Sequence, residues 1–138
     1  MRRNWRLKLM PHSPQEQHNL DFCTRMYKEM LFTFDASRVD EFIHPDYIQH
    51  STAASEGREG LRAFFADRAD RFPDVKMAIK GAFADGDYTI FQIHTIRHDG
   101  DPGMAIVDIF RMEEGRVREH WEVLQEIPAK LPHNNGIY

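Results

Sequence analysis

The sequence of 138 residues contains one cysteine, Cys23, so it cannot form an internal disulfide. We therefore expect a reducing, cytoplasmic environment. No hydrophobic run reaches membrane-spanning length, and residues 1–10 lack the apolar core of a signal peptide. The formal net charge of −4 is small, and the basic residues are scattered. These absences argue against a membrane protein and a nucleic-acid-binding protein. Glycine-rich phosphate loops and Ser-His-Asp elbows are also missing.

The spacing of the apolar residues changes once along the chain. Apolar residues recur at intervals of three and four from Leu20 through Phe34, which predicts a helix that begins near Pro14. Two further helices are predicted over residues 37–43 and 58–71. After Pro73 the period becomes two, which predicts four strands over residues 75–84, 87–98, 103–112 and 117–127. Helices followed by an antiparallel meander indicate a single α+β domain over residues 14–138, with residues 1–13 as a flexible extension.

The predicted turns set which strand residues face each other. A two-residue turn at Glu114-Gly115 pairs Asp108 with Trp121, and pairing His98 with Met104 across the preceding loop brings His94 opposite Asp108. Gln92, Glu119 and Gln125 would lie nearby on the same, mostly apolar face. Burying a neutral polar group without a hydrogen bond costs roughly 2–7 kcal/mol. An unpaired carboxylate buried there therefore costs several kcal/mol, or its pKa is strongly shifted. Asp108 therefore needs a partner or a chemical role.

The opposite face of the predicted sheet is also too apolar to remain in water. We expect this outer face to form a homodimer interface, and we expect His120 to point to it. Its predicted residues are Thr89, Phe91, Ile93, Thr95, Ala105, Val107, Ile109 and Leu124.

Several short motifs occur together in this chain. They are His44-Pro-Asp-Tyr-Ile-Gln-His50, Asp85-Gly-Asp87, Asp108-Ile-Phe-Arg111, the run from Gly115 to Gln125, and Asn134-Asn-Gly136. In this combination the chain resembles the SnoaL-like proteins of the nuclear transport factor 2-like superfamily, in the bacterial branch described as polyketide-cyclase-like or aldol-condensing. The resemblance implies a cone-shaped fold, with three N-terminal helices packed on a strongly curved antiparallel sheet that encloses a pocket.

The resemblance also implies roles for particular residues. In characterised cyclases of this family a strand aspartate is the acid/base and a histidine on the neighbouring strand lines the pocket, which corresponds to Asp108 and His94 here. His50 and Trp121 match pocket-lining positions. The predicted substrate-binding residues are His50, Trp121, Gln92, Phe110, Tyr47 and Gln125.

The leading interpretation is an enzyme without a cofactor that removes a proton next to a carbonyl group in a small hydrophobic compound, as in intramolecular aldol condensation. Two alternatives stay open at this point. Asp108 could be a structural carboxylate bonded to His94 or Trp121. Alternatively, the protein could be non-catalytic, either with a pocket that binds a lipid-like or aromatic ligand or as a dimeric interaction module. A metal site at His50, His94 and Asp108 lacks any short ligand spacing, so we expect no metal.

Overall fold

The computed structural model describes residues 11–138, so most of the predicted extension over residues 1–13 lies outside the described residues. Helix α1, Pro14–Met26, begins in a capping box in which Ser13 and Glu16 each bind the other's backbone N–H. It continues as a single π-helical turn, Tyr27–Leu31. Such turns occur frequently at functional sites because the extra residue re-aims the side chains around it. Here the turn begins at Tyr27, whose hydroxyl reaches the centre of the sheet.

The remaining helices match the predicted positions closely. A 3₁₀ turn, Ala36–Arg38, leads into the short helix α2, Val39–Phe42. Helix α3, Gly57–Arg71, packs mainly on the first strand. Among the described residues, no helix combines the length and the apolar character needed to cross a lipid bilayer.

Five strands form one mixed sheet, one strand more than the sequence predicts. They are β1 (Ile43–Gln49), β2 (Lys76–Asp85), β3 (Tyr88–Ile96), β4 (Met104–Glu113) and β5 (Arg116–Glu126). The order is β1-β5-β4-β3-β2, and the sheet is open rather than closed. The prediction of a purely antiparallel sheet is wrong at one position, because β1 pairs with β5 in parallel. The α+β class and the nuclear transport factor 2-like fold are confirmed.

The predicted register between β3 and β4 is wrong by three residues. Asp108 pairs with Phe91, whereas His94 pairs with Ala105. Strand β3 ends at Ile96, and a long loop follows, in which Asp101 accepts hydrogen bonds from the backbone N–H groups of Arg97 and Gly103. Because side chains alternate along a strand, an odd shift moves His94 to the outer face.

The turn at Glu114-Gly115 is confirmed, since Met112 pairs with Val117 as predicted. A β-bulge then makes Arg118 an extra residue, so that Arg111 pairs with Glu119 and Asp108 with Glu122. Beyond the bulge, each side chain of β5 lies on the face of the sheet opposite to the predicted one. The prediction that His120 points away from Asp108 is therefore wrong, and so is the pairing of Asp108 with Trp121.

These two irregularities also change the composition of the outer face. Ala105, Val107 and Ile109 lie there as predicted, because β4 keeps its predicted orientation. The other predicted residues belong to the inner side; they are Thr89, Phe91, Ile93, Thr95 and Leu124. The outer face is still apolar, with Phe83, Tyr88 and Val123 exposed at 55%, 42% and 66%.

Candidate active site

Asp108 lies in the middle of β4, is 7% exposed, and has a donor on each carboxylate oxygen. The Tyr27 hydroxyl donates to Oδ2 at 2.5 Å, and the His120 Nε2–H donates to Oδ1 at 2.9 Å. Tyr27 comes from the π-helical turn and His120 from the part of β5 beyond the bulge. Two local irregularities in regular elements therefore supply both partners of the buried carboxylate.

The hydrogen bonds of His120 determine where its protons lie. Its Nδ1 contacts the Gln49 amide oxygen at 2.9 Å, and that oxygen also accepts from the Ser51 backbone N–H, which fixes the orientation of the amide. Amide and carboxylate oxygens only accept, so both ring nitrogens donate. These two contacts hold the imidazole ring between the Gln49 amide and the Asp108 carboxylate.

Tyr47, on β1, presents a second hydroxyl to the same cavity. The Gln49 side-chain amide donates to this hydroxyl at 2.8 Å, and the hydroxyl's own proton has no acceptor among the described residues. Burial raises the pKa of Tyr47, and the nearby charges of Asp108 and Glu122 raise it further. Tyr47 therefore remains a neutral donor that is available to a bound molecule.

Glu122, on β5, is the direct cross-strand neighbour of Asp108 and lines the cavity. The Ser51 hydroxyl donates to its Oε2. Burial raises the pKa of the Glu122 carboxyl, and so does the Asp108 charge, although the Ser51 hydrogen bond and the charges of His120 and Arg68 oppose this. The Asp108 and Glu122 carboxyl groups therefore line the same cavity in different surroundings.

The cavity has a volume of about 490 Å³, which is in the range of pockets that bind small organic molecules. Its wall is largely apolar. The polar side chains come mainly from β1, β4 and β5, with Arg68 and Arg71 from α3 and Thr95 and Arg97 from the end of β3 and just beyond it. The apolar wall includes Met26, Met30, Leu31, Phe34, Leu61, Phe64, Ile93 and Ile106. Such a wall excludes water from an uncharged ligand and strengthens any hydrogen bond made at Asp108 or Tyr47.

Three of the predicted site residues, Asp108, Phe110 and Tyr47, line this cavity. Phe110 stacks on the His120 ring with the centroids 4.8 Å apart, which helps to hold the imidazole in place. The three side chains share one space.

The other predicted site residues lie elsewhere. The predicted contact between His94 and Asp108 is wrong, because the His94 Nε2 contacts the carbonyl oxygen of Pro102 at 3.0 Å on the outer face. His50 stacks on Trp121 with the ring centroids 5.0 Å apart, and its Nε2 bonds to Glu119 at 2.8 Å. Gln92, Gln125, His50 and Trp121 are not among the cavity-lining residues.

The sequence reasoning missed four polar residues of the site: Tyr27, Gln49, Glu122 and His120. Tyr27 falls within the apolar repeat from Leu20 through Phe34, and its hydroxyl gives no separate signal in that pattern. Gln49 was part of a recognised motif, next to Tyr47. His120 and Glu122 could have been found only by allowing for a bulge after the turn at Glu114-Gly115.

A metal centre at His50, His94 and Asp108 does not fit the structure, because these side chains lie on different sides of the sheet. Among the described residues, one group has ligand atoms close enough for a metal, His44 with Glu113 and Glu114. Both glutamates are exposed at the turn between β4 and β5, outside the cavity.

Comparison with known proteins identifies the fold and the family. The sequence profile described as SnoaL-like polyketide cyclase matches residues 22–130. No curated protein matches the chain by sequence.

Several solved structures are similar to this chain. One is a proposed SnoaL-like polyketide cyclase from Jannaschia sp. CCS1, with a TM-score of 0.71 and 23% sequence identity. The match covers 83% of this chain and 90% of that one. IdmH from Streptomyces antibioticus, a proposed polyketide cyclase, has a TM-score of 0.64 and 22% identity over 77% and 91%. AclR from Streptomyces galilaeus, a proposed hydroxylase, has a TM-score of 0.69 and 20% identity over 82% of each chain. At these identities the likeness shows the fold alone. The profile match, which covers most of the chain, shows that this protein belongs to the SnoaL-like polyketide cyclase family.

Proposed function

We propose that this protein catalyses proton transfer at the carbon next to a carbonyl group in a small hydrophobic compound, as a cyclase or aldolase requires. The observation that carries the proposal is the buried Asp108 carboxylate, which lines an apolar cavity beside a histidine and two phenol groups. A buried carboxylate is costly unless it is hydrogen-bonded, and such a group in a cleft is a candidate for a chemical role.

In the proposed reaction Asp108 is the general base. A bound ketone places its acidic C–H against the carboxylate, which takes the proton as the enolate forms. Asp108 holds the abstracted proton as a carboxylic acid and can return it, while His120 keeps the carboxyl group oriented through its contact with Oδ1. Tyr27 holds the other carboxylate oxygen in place from the helix side.

Tyr47 is the proposed donor to the enolate oxygen. Its proton has no acceptor among the described residues, and Gln49 orients the hydroxyl by donating to it. A preorganised donor that meets developing negative charge in an apolar site is worth about 3–4 kcal/mol of transition-state stabilisation in comparable enzymes. The enolate carbon would then attack a second carbonyl group of the same molecule, which is an intramolecular aldol reaction.

Exchange of α-protons isolates the first step and needs no knowledge of the natural substrate. The probe is 2-tetralone, an apolar bicyclic ketone that suits the cavity volume, incubated in D₂O and followed by NMR. We expect the protein to accelerate exchange and Asp108→Asn to lower the rate at least 100-fold, because an amide cannot accept the proton.

The matched control is Asp99→Asn, which makes the same chemical change on the exposed loop between β3 and β4. It should exchange protons at the wild-type rate. Equal exchange by wild type and Asp108→Asn would contradict the proposal. A pocket that binds 2-tetralone without accelerating its exchange would support a purely ligand-binding protein instead.

A further inference from the structure

Glu122 is a polar group in the cavity that the proposed proton abstraction does not use. It stands directly across from Asp108 on the neighbouring strand, so the two Cα atoms are about 4.5–5.5 Å apart. Cross-strand partners lie on the same face of a sheet, and both side chains line the cavity. Two carboxyl groups therefore approach a bound molecule from the same side.

The two carboxyl groups have different hydrogen-bond partners. Asp108 accepts from Tyr27 and from His120, so each of its oxygens has a donor. Glu122 accepts one hydrogen bond, from Ser51 to Oε2, while Oε1 makes none within the described part of the chain. With Oε2 accepting, a proton on Oε1 is free to be given to a ligand. Two carboxyl groups in different surroundings can supply a base and an acid to one reaction.

We propose that Glu122 is the general acid of this site and that the protein eliminates water from β-hydroxy ketones. This inference rests on the proposed role of Asp108 as base and extends it to a second bond-breaking step. It names the substrate class: a hydrophobic ketone with a hydroxyl group on the β-carbon, which is the product of an aldol addition.

The elimination balances with these two groups alone. Asp108 takes the proton from the α-carbon, and that C–H electron pair becomes the new carbon–carbon double bond. The C–O bond of the β-carbon breaks with its electron pair, Glu122 Oε1 gives its proton to the departing hydroxyl, and water leaves. Asp108 ends protonated and Glu122 ionised, and proton transfer through the released water restores both. Because both groups act from one face, the elimination is syn.

Other charged and titratable groups around Glu122 act on its pKa in opposite directions. Asp108 from β4 disfavours the ionised form, whereas His120 from β5 and Arg68 from α3 favour it. The hydroxyl groups of Ser51 and Tyr47 face the same space from the β1 side. An acid balanced in this way gives up its proton more readily than an isolated buried carboxyl group.

The probe for this proposal is 4-hydroxy-4-phenylbutan-2-one, whose dehydration to 4-phenyl-3-buten-2-one is followed by ultraviolet absorption. Exchange of its α-protons in D₂O is measured on the same sample by NMR. We expect Glu122→Gln to lower the dehydration rate at least 100-fold while exchange stays within threefold of wild type, because only the leaving hydroxyl needs the acid. Glu119→Gln, on the same strand but outside the cavity, should dehydrate at the wild-type rate.

The outcomes separate this proposal from the one on which it rests. No exchange by the wild type would overturn both proposals. Exchange without dehydration by the wild type overturns only the role of Glu122, as does unchanged dehydration by Glu122→Gln. An equal loss of exchange and dehydration in a folded Glu122→Gln protein also overturns it, since Glu122 would then serve the base step.

The pH dependence of the wild type provides a test that does not depend on the folding of a variant. The ratio of dehydration to exchange should fall as rising pH ionises Glu122, because exchange does not need the protonated carboxyl group. A ratio that stays constant from pH 5 to pH 9 would contradict the proposal.

Discussion

Three acidic groups in the interior, Cys23, Tyr27 and Tyr47, make a sharp prediction about stability at alkaline pH. Burial raises the pKa of the Cys23 thiol from 9.0 to about 12. Burial likewise raises the pKa values of Tyr27 and Tyr47 well above the ordinary 10.0, with the charge of Asp108 as the next cause. All three groups therefore stay protonated in the folded protein at pH values where the unfolded chain loses their protons.

The direction of this pH dependence follows from the linkage between proton binding and folding. A group with a raised pKa in the folded state contributes its full stability below the unfolded pKa, and this is lost as the pH rises towards the folded pKa. Raising the pH from 8 to 11 costs about 2.6 kcal/mol through Cys23 and about 1.4 kcal/mol through each tyrosine. The total of about 5 kcal/mol is comparable to the entire stability of many small domains.

Urea unfolding followed by circular dichroism at pH 8, 9, 10 and 11 measures this loss. We expect the Cys23→Ala variant to lose about half as much stability as the wild type between pH 8 and pH 11, because the variant lacks the group that contributes most to the pH dependence. The control is Tyr88→Phe, which removes a half-exposed hydroxyl on the outer face and should leave the pH dependence as in wild type. A free energy of unfolding that changes by less than about 1 kcal/mol between pH 8 and pH 11 would refute the reasoning.

Two further predictions concern the two faces of the sheet. The Thr95 hydroxyl is buried without a hydrogen-bond partner, so Thr95→Val should raise the free energy of unfolding by up to about 1 kcal/mol in thermal melts. Thr89→Val removes a hydroxyl that contacts Cys23 and should give no such gain; equal effects of the two variants would count against the argument. On the outer face we propose a homodimer interface that includes Val123, which is 66% exposed. Val123→Glu should then convert a dimer into a monomer in sedimentation velocity, and a wild-type monomer would exclude this interface.

Much of the fold could be predicted because its signals are local. The interval of apolar residues defines α1, the proline and glycine residues mark the ends of α3 and β2, and the turn at Glu114-Gly115 sets the first pairs of β4 with β5. The position of Asp108 on the inner face also follows from alternation within β4 alone. A buried carboxylate in mid-strand was enough to predict the centre of the candidate site.

The partners of Asp108 depend on geometry that the alternation of side chains does not contain. Asp101 contacts the backbone at both ends of the loop after β3, and the register of β3 on β4 differs from the predicted one by three residues, so that His94 lies away from Asp108. The extra residue Arg118 turns His120 and Glu122 inward. Each difference reverses the face that the affected side chains share with β4.

The sequence by itself therefore determined the class of the fold, the family and the acid at the centre of the site. Only the tertiary structure decided which histidine and which second carboxyl group accompany that acid. The physical reason is that the local pattern of apolar residues indicates whether a residue is buried, whereas its neighbours across a sheet depend on loop and bulge geometry. In this protein that geometry is set by contacts between residues such as Arg97 and Asp101, and Arg118 and Glu113.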